Sequence, residues 1–196
     1  MLNLAAEAVR AAGLTNVETR VMDAANLDVA EDSFDAVICR QALMLFPEPL
    51  KAVVGMRRAV KPRSKVVASV FSSAEKNPFQ ALSFAIVRRI ANMPSPGAGQ
   101  AGIFALGDPS TLEAVFRAAG FLDIVIQPVP MPRRFRSADE ASKPLRTNPL
   151  FLQLLPKLSD SERDKVWMEI AQEFGRFQGP NGLEIPGEYL MAVGTK

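Results

Sequence analysis

The hydrophobic rhythm of the chain alternates between two periods. Leu2, Ala5, Ala8, Val9 and Ala12 recur at helical spacing, and Gly13 offers the left-handed conformation that ends a helix, so residues 2 to 12 are predicted to form an amphipathic helix. Val17 to Met22, Phe34 to Cys39 and Lys65 to Phe71 are short runs rich in Val, Ile and Phe and are predicted to be strands. Their near-continuous apolar character is that of a sheet buried on both faces. Between the last two, Pro47 and Pro49 mark the entry to a helix bearing Leu50, Val53, Val54 and Val60, with Pro62 as its breaker. Strands joined by helical crossovers argue a mostly parallel α/β sheet, because a parallel pair needs a connection of about a dozen residues or more.

The second half keeps this alternation with longer interruptions. Phe79, Leu82, Ile86 and Ile90 mark a helix, followed by a loop of Pro94, Pro96, Gly97, Gly99 and Gly102. The G-x-G-x-x-G spacing in that loop is not read as a dinucleotide site, since the fingerprint has meaning only between a strand and the helix it opens. Asp108 caps a helix with Pro109 in its first turn and Leu112, Val115, Phe116 and Ala119 on its apolar face; after Gly120, Phe121 to Val129 reads as a strand. Ser137 with Glu140 and Ser159 with Glu162 are capping-box patterns, each starting a helix. The second carries Val166, Ile170 and Phe174 in one row, beside Trp167, which reads as core. The chain closes on a strand from Tyr189 to Val193.

Composition removes whole classes of chemistry. The 196 residues suit one domain with a small appended cap, 48% of them are hydrophobic, and the net charge of +2 implies neither a nucleic-acid nor a membrane partner. No apolar stretch approaches the roughly 20 residues needed to span a bilayer. There is no histidine, and the single cysteine, Cys39, lies in a predicted strand. Zinc centres, Cys/His pairs and Ser-His-Asp triads are therefore excluded, leaving chemistry in which a cofactor supplies the reactive group and the protein positions it. One cysteine forbids an internal disulfide, and a cytoplasmic location is expected. Arg57, Arg58 and Lys61 read as a solvated basic turn facing the helix dipole. Arg133, Arg134 and Arg136 read as a strand edge, with an anion-binding role as the alternative.

Taken together, DAANL, SFDAVICRQALMLFPEP, RRAVKPRSKVVASVF and AGFLDIVIQPV resemble the class I S-adenosylmethionine-dependent methyltransferases, in particular the small-molecule type-11 branch that includes ubiquinone and menaquinone biosynthesis enzymes. The resemblance covers nearly all of the chain. It implies a Rossmann-like, doubly wound methyltransferase sheet with a small helical cap, residues 72–107 and 133–180 being variable substrate segments of a single domain. It also implies that the family's glycine-rich first loop, and the acidic residue that holds the ribose, would lie upstream of Met1, so the sheet is expected to be N-terminally truncated. At Arg63-Ser64, where relatives carry Gly-Gly, a reshaped turn is expected.

The resemblance assigns a cofactor and a set of contacts. Ligands of open α/β sheets bind beyond the carboxyl ends of strands, where Asp23 and Arg40-Gln41 stand. By likeness, Asp23 and the backbone of Ala24 would hold the adenine edge of S-adenosylmethionine, and Arg40, Gln41 and Leu45 would border its methionine and ribose end. No metal and no base are implied, because methyl transfer from a sulfonium depends chiefly on alignment. The expected activity is methylation of a small molecule, with a non-catalytic methyltransferase-like interaction module as the alternative. A strand order of 3-2-1-4-5-7-6 with its first strands missing leaves open edges, so self-association through an open sheet edge is also expected.

Overall fold

Two sheets organise the chain, and each has its own core. The computed structural model describes residues 2–94, 97 and 100–196. In order, the elements are α1 (Leu2–Ala11), β1 (Phe34–Arg40), α2 (Pro49–Ala59), β2 (Val60–Phe71), α3 (Pro78–Ile90), α4 (Pro109–Ala118), β3 (Leu122–Pro130) and β4 (Arg133–Phe135). They continue with α5 (Ala138–Arg146), α6 (Pro149–Leu154), α7 (Asp160–Gly175), β5 (Gln178–Gly179), β6 (Gly182–Ile185) and β7 (Glu188–Thr195). The main sheet runs β1-β2-β7-β3, with β1 and β2 parallel and β7 antiparallel to both neighbours. That is the 4-5-7-6 portion of the expected order.

The main core lies on one face of this sheet. Strand positions Val66, Ala68, Val70, Leu190 and Ala192 point into it and meet Ala52, Val53 and Met56 of α2 and Leu112 and Phe116 of α4, all buried. Prolines open α2, α3 and α4 at their first turns, where the missing N–H costs nothing. Gly120 ends the α4 segment at φ +85°, a conformation a side chain would resist.

Several expectations are corrected. Val17 to Met22 is not a strand: the segment is irregular and exposed, with Val21 89% accessible, because no neighbouring strand supplies its ladder. The Phe34–Arg40 strand is not buried on both faces; Ile38 is 76% exposed and Phe34 44%. Pro62 breaks nothing, since α2 stops at Ala59 and β2 already begins at Val60. The expected turn at Arg63-Ser64 is instead a bulge inside β2, where the pairing jumps from Phe34↔Val60 to Ala36↔Lys65. Arg63 sits there at φ +66°, in the left-handed region where the relatives' glycine would be free of strain.

The cap is not purely helical. β4, β6 and β5 form a three-stranded antiparallel sheet packed by α3, α5 and α7 around Phe79, Phe151, Val166, Ile170 and Phe174. Trp167 packs against this core, as its row predicted, and Arg146 lies 4.4 Å over its ring. Arg133 and Arg134 do form a strand edge: Arg133 stacks on Phe79 and Arg134 pairs with Glu184. The Ser159 capping box is complete, whereas Glu140 reaches back to the N–H of Arg136 rather than to that of Ser137. Of the glycine-rich loop, Pro96 and Gly99 lie outside the described residues.

Replacing Arg63 by Gly should stabilise the chain by roughly 0.5 kcal/mol, the left-handed penalty relieved less the added unfolded-state entropy, as read by denaturant unfolding. A loss of stability would show that the Arg63 side chain, not its backbone, matters at the bulge. Asp108 accepts the N–H of Thr111 as the α4 cap, and the hydroxyl of Ser110, with the Thr111 amide, holds its carboxyl below the ordinary value. A depressed carboxyl contributes stability above its unfolded value and loses it as pH falls through the folded one. The unfolding midpoint of Asp108→Asn should therefore fall below that of the parent at neutral pH and converge with it in acid. A gap independent of pH would remove the carboxylate from the cap.

Candidate active site at the carboxyl edge of the sheet

The exit of β1 is the most constrained point on the sheet edge. Gln41, directly after the strand, takes φ +53°, and its N–H donates to the Ser69 carbonyl at 2.9 Å, extending the ladder by one residue. Its amide nitrogen reaches the Ser69 hydroxyl at 3.4 Å. Its Oε1 is buried and has no hydrogen-bond partner among the described residues. A left-handed glutamine holding an unsatisfied buried acceptor is the kind of local cost that persists where a ligand supplies the missing donor.

The residues that follow lock this corner. A 3-10 turn at Leu43–Leu45 buries Leu43 and Met44 completely while leaving Leu45 45% exposed. Burial raises the Cys39 thiol above its usual range, only partly opposed by the nearby Leu43 and Ala42 amides, so it is no nucleophile at neutral pH. Arg40 is exposed, beside Gln41 but on the opposite side of the strand from Cys39.

Asp23 and Ala24 stand on a separate support. The Asp23 carboxylate accepts the Ala25 N–H at 2.9 Å and its carbonyl accepts that of Asn26, a turn that fixes one carboxylate oxygen and leaves the other without a partner among the described residues. Ala24 and Leu27 pack on the main core, Leu27 lies against Gly55 of α2, and Arg58 donates to the Leu27 carbonyl at 2.7 Å. Arg57 donates to Gly120 at 2.9 Å and Lys61 pairs with Asp35. The two arginines thus pin neighbouring backbone, while Lys61 pairs with an exposed carboxylate on a solvated face.

Further along the same edge lies a recess of about 480 Å³ that the sequence pattern did not reveal. It forms where Ser72 to Lys76 leave β2, opposite Asp108, Pro128 and Glu188. Buried Asn77 ties this corner together: Nδ2 donates to the Ser72 hydroxyl and the Ser73 and Glu188 carbonyls, and Oδ1 accepts the Glu188 N–H. Lys76 pairs with Glu188 at 2.8 Å, and the Ser73 hydroxyl holds Glu75 below its ordinary value. The three carboxylates outnumber the one lysine. Among the described residues, no cluster of Cys, Asp or Glu could hold a metal ion, and no helix is long and apolar enough to cross a membrane.

The fold of this chain has counterparts among solved structures. A candidate methyltransferase from Bacillus halodurans C-125 superposes over 100% of this chain and 78% of its own at a TM-score of 0.61 and 16% identity. The sequence profile of the methyltransferase-domain family matches residues 1–95. The fold is that of a class I methyltransferase. Phosphoethanolamine N-methyltransferase 2 of Haemonchus contortus, solved with phosphomonomethylethanolamine and S-adenosylhomocysteine, matches all of this chain but 41% of its own, at a TM-score of 0.56 and 17% identity. A phosphatidylethanolamine N-methyltransferase of Cereibacter sphaeroides is 35% identical over 89 residues. That match covers 45% of this chain and 44% of the relative, so the chain spans less than half of the curated methyltransferase it matches.

Within that fold, Gln41 carries a buried side-chain acceptor with no partner among the described residues. Gln41→Met should leave the fold intact and raise the stability of the free chain by about 1 kcal/mol, because a buried acceptor without a donor is removed. A clear destabilisation would mean that Oε1 has a partner in solution and is not waiting for a ligand.

Proposed function

We propose that the chain serves S-adenosylmethionine-dependent methyl transfer to a small-molecule acceptor, with the cofactor's methionine end at Gln41. The observation that carries this reading is the orphaned Gln41 Oε1 at the exit of β1, in a chain with the methyltransferase sheet order. A buried amide oxygen suits an ammonium donor. At the other end, the free Asp23 oxygen and the adjacent Ala24 amide offer an acceptor and a donor side by side, as an adenine edge requires. Arg40 and Leu45 flank the space between. The residues present thus fit the cofactor, which when bound supplies an electrophilic methyl on sulfur. The chain's part is to orient and to exclude water.

The acceptor side of this reading is the neighbouring recess. Its carboxylates at Glu75, Asp108 and Glu188 favour a cationic or amine acceptor over an anionic one. Amine-methylating relatives by name are in keeping with that choice. A cytoplasmic setting belongs to the same proposal. A second reading, a non-catalytic interaction module, is favoured by one feature, the exposed and unpaired segment from Val17 to Met22 beside the adenine contacts.

Calorimetric titration separates the two. S-adenosylmethionine should bind the chain saturably, and Asp23→Ala should weaken that binding by about 1 to 3 kcal/mol, the scale of a hydrogen bond to a charged group. Absence of binding at millimolar cofactor would favour the interaction module, and binding indifferent to Asp23→Ala would place adenine elsewhere.

A further inference from the structure

A strand residue outside the expected contacts completes the corner at the exit of β1. Arg40 and Ser69 are direct partners in the parallel ladder, so their side chains leave the sheet on one face, opposite to buried Cys39 and Ala68. An extended Gln41 would point back to the Cys39 face. With its left-handed backbone at φ +53°, its amide nitrogen instead reaches the Ser69 hydroxyl at 3.4 Å. The bond is long, as polar contacts of an unliganded site often are before a ligand tightens them. Ser69 accepts in it, and the proton of its hydroxyl has no acceptor among the described residues. An unused acceptor on Gln41, an unused donor on Ser69 and the Arg40 guanidinium thus stand together at one sheet corner.

We propose that Ser69 is a specificity-determining residue of the cofactor site, and that with Gln41 and Arg40 it selects ligands carrying an intact α-amino acid end. The inference rests on the methyl-transfer reading above. An α-amino acid presents an ammonium, which only donates, and a carboxylate, which only accepts. The nitrogen and the carboxylate carbon are about 2.5 Å apart, being bonded to the same tetrahedral carbon. A site that reads both must therefore bring an acceptor and donors into one small space. Ser69 serves both ends. By accepting from Nε2 it leaves Oε1 of Gln41 for the ammonium, and its own proton goes to the carboxylate, whose charge the Arg40 guanidinium balances. Alanine at this position would remove both effects, whereas threonine keeps the hydroxyl and suits a strand. The recess beyond β2 is the poorer place for this end of the ligand, since Glu75, Asp108 and Glu188 repel a carboxylate.

Calorimetric titration of the full chain with a graded set of nucleosides tests this. S-adenosylmethionine carries both groups, decarboxylated S-adenosylmethionine keeps only the amine, and methylthioadenosine has neither. Ser69→Ala should weaken S-adenosylmethionine binding about tenfold, the scale of a hydrogen bond to a charged group, weaken the decarboxylated form less, and leave methylthioadenosine unchanged. Ser69→Thr should restore the parent's preference. Arg40→Met should cost affinity for S-adenosylmethionine and none for its decarboxylated form. Unchanged methylthioadenosine affinity also shows that each variant is folded. Equal losses for all three ligands in Ser69→Ala would reduce Ser69 to a structural role and overturn the inference. So would a parent that binds methylthioadenosine as tightly as S-adenosylmethionine, an outcome that leaves the cofactor reading in place. A parent that binds none of the three at millimolar concentration would overturn both.

Discussion

Strand β7 is hydrogen-bonded on both sides along its length, and the rest of the molecule depends on that double ladder. From Lys65↔Thr195 to Phe71↔Tyr189 it pairs with β2, and from Leu122↔Thr195 to Pro130↔Glu188 with β3. It is also the last element of the chain, so the main sheet closes only when residues more than 110 positions apart meet, a topology that folds slowly. At its amino end Glu188 receives the Asn77 clamp, which ties the entry of the cap helix α3 to the end of β2. At its other end Gly194 admits the Phe116 and Phe121 rings, which a Cβ would meet at 2.8 to 2.9 Å. One strand therefore sets the core, the sheet edge and the recess.

The consequence for function is a sheet with unequal faces. α2 and α4 bury one side, and the carboxyl edge gathers Gln41, the Ser72 to Asn77 corner and Asp108 within the span of three neighbouring strands. The opposite side leaves Ile38 and Val125 exposed and Val67 and Val193 half-buried. The first surface reads as a place where a small molecule is oriented.

Much of this architecture was legible in residue order, for identifiable physical reasons. The β1-α2-β2 unit and the α4-β3 unit announce themselves because apolar periodicity, prolines at helix starts and the Asp108 cap all agree locally. Val17 to Met22 was misread because β-branched composition is only half of a strand; the other half is a neighbour, which no local pattern reports. The same blindness hid the uncovered face of β1. The cap strand β6 was missed because it is four residues long and carries charge at Glu184, whereas its partner β4 was legible as a strand edge at Arg133 and Arg134. Gln41 was identifiable as a strand-end residue, whereas Asp23 was placed at the end of a strand that does not form; the unsatisfied Oε1 of Gln41 and the recess at Ser72 depend on groups brought together across 28 and 116 residues.

Hydrogen exchange of the full chain with and without saturating S-adenosylmethionine bears most directly on the cofactor placement. Slowed exchange confined to Asp23–Asn26 and Arg40–Leu45, with smaller effects around Ser72, is the expected outcome. Protection appearing elsewhere on the sheet while the amides after β1 stay unchanged would contradict it.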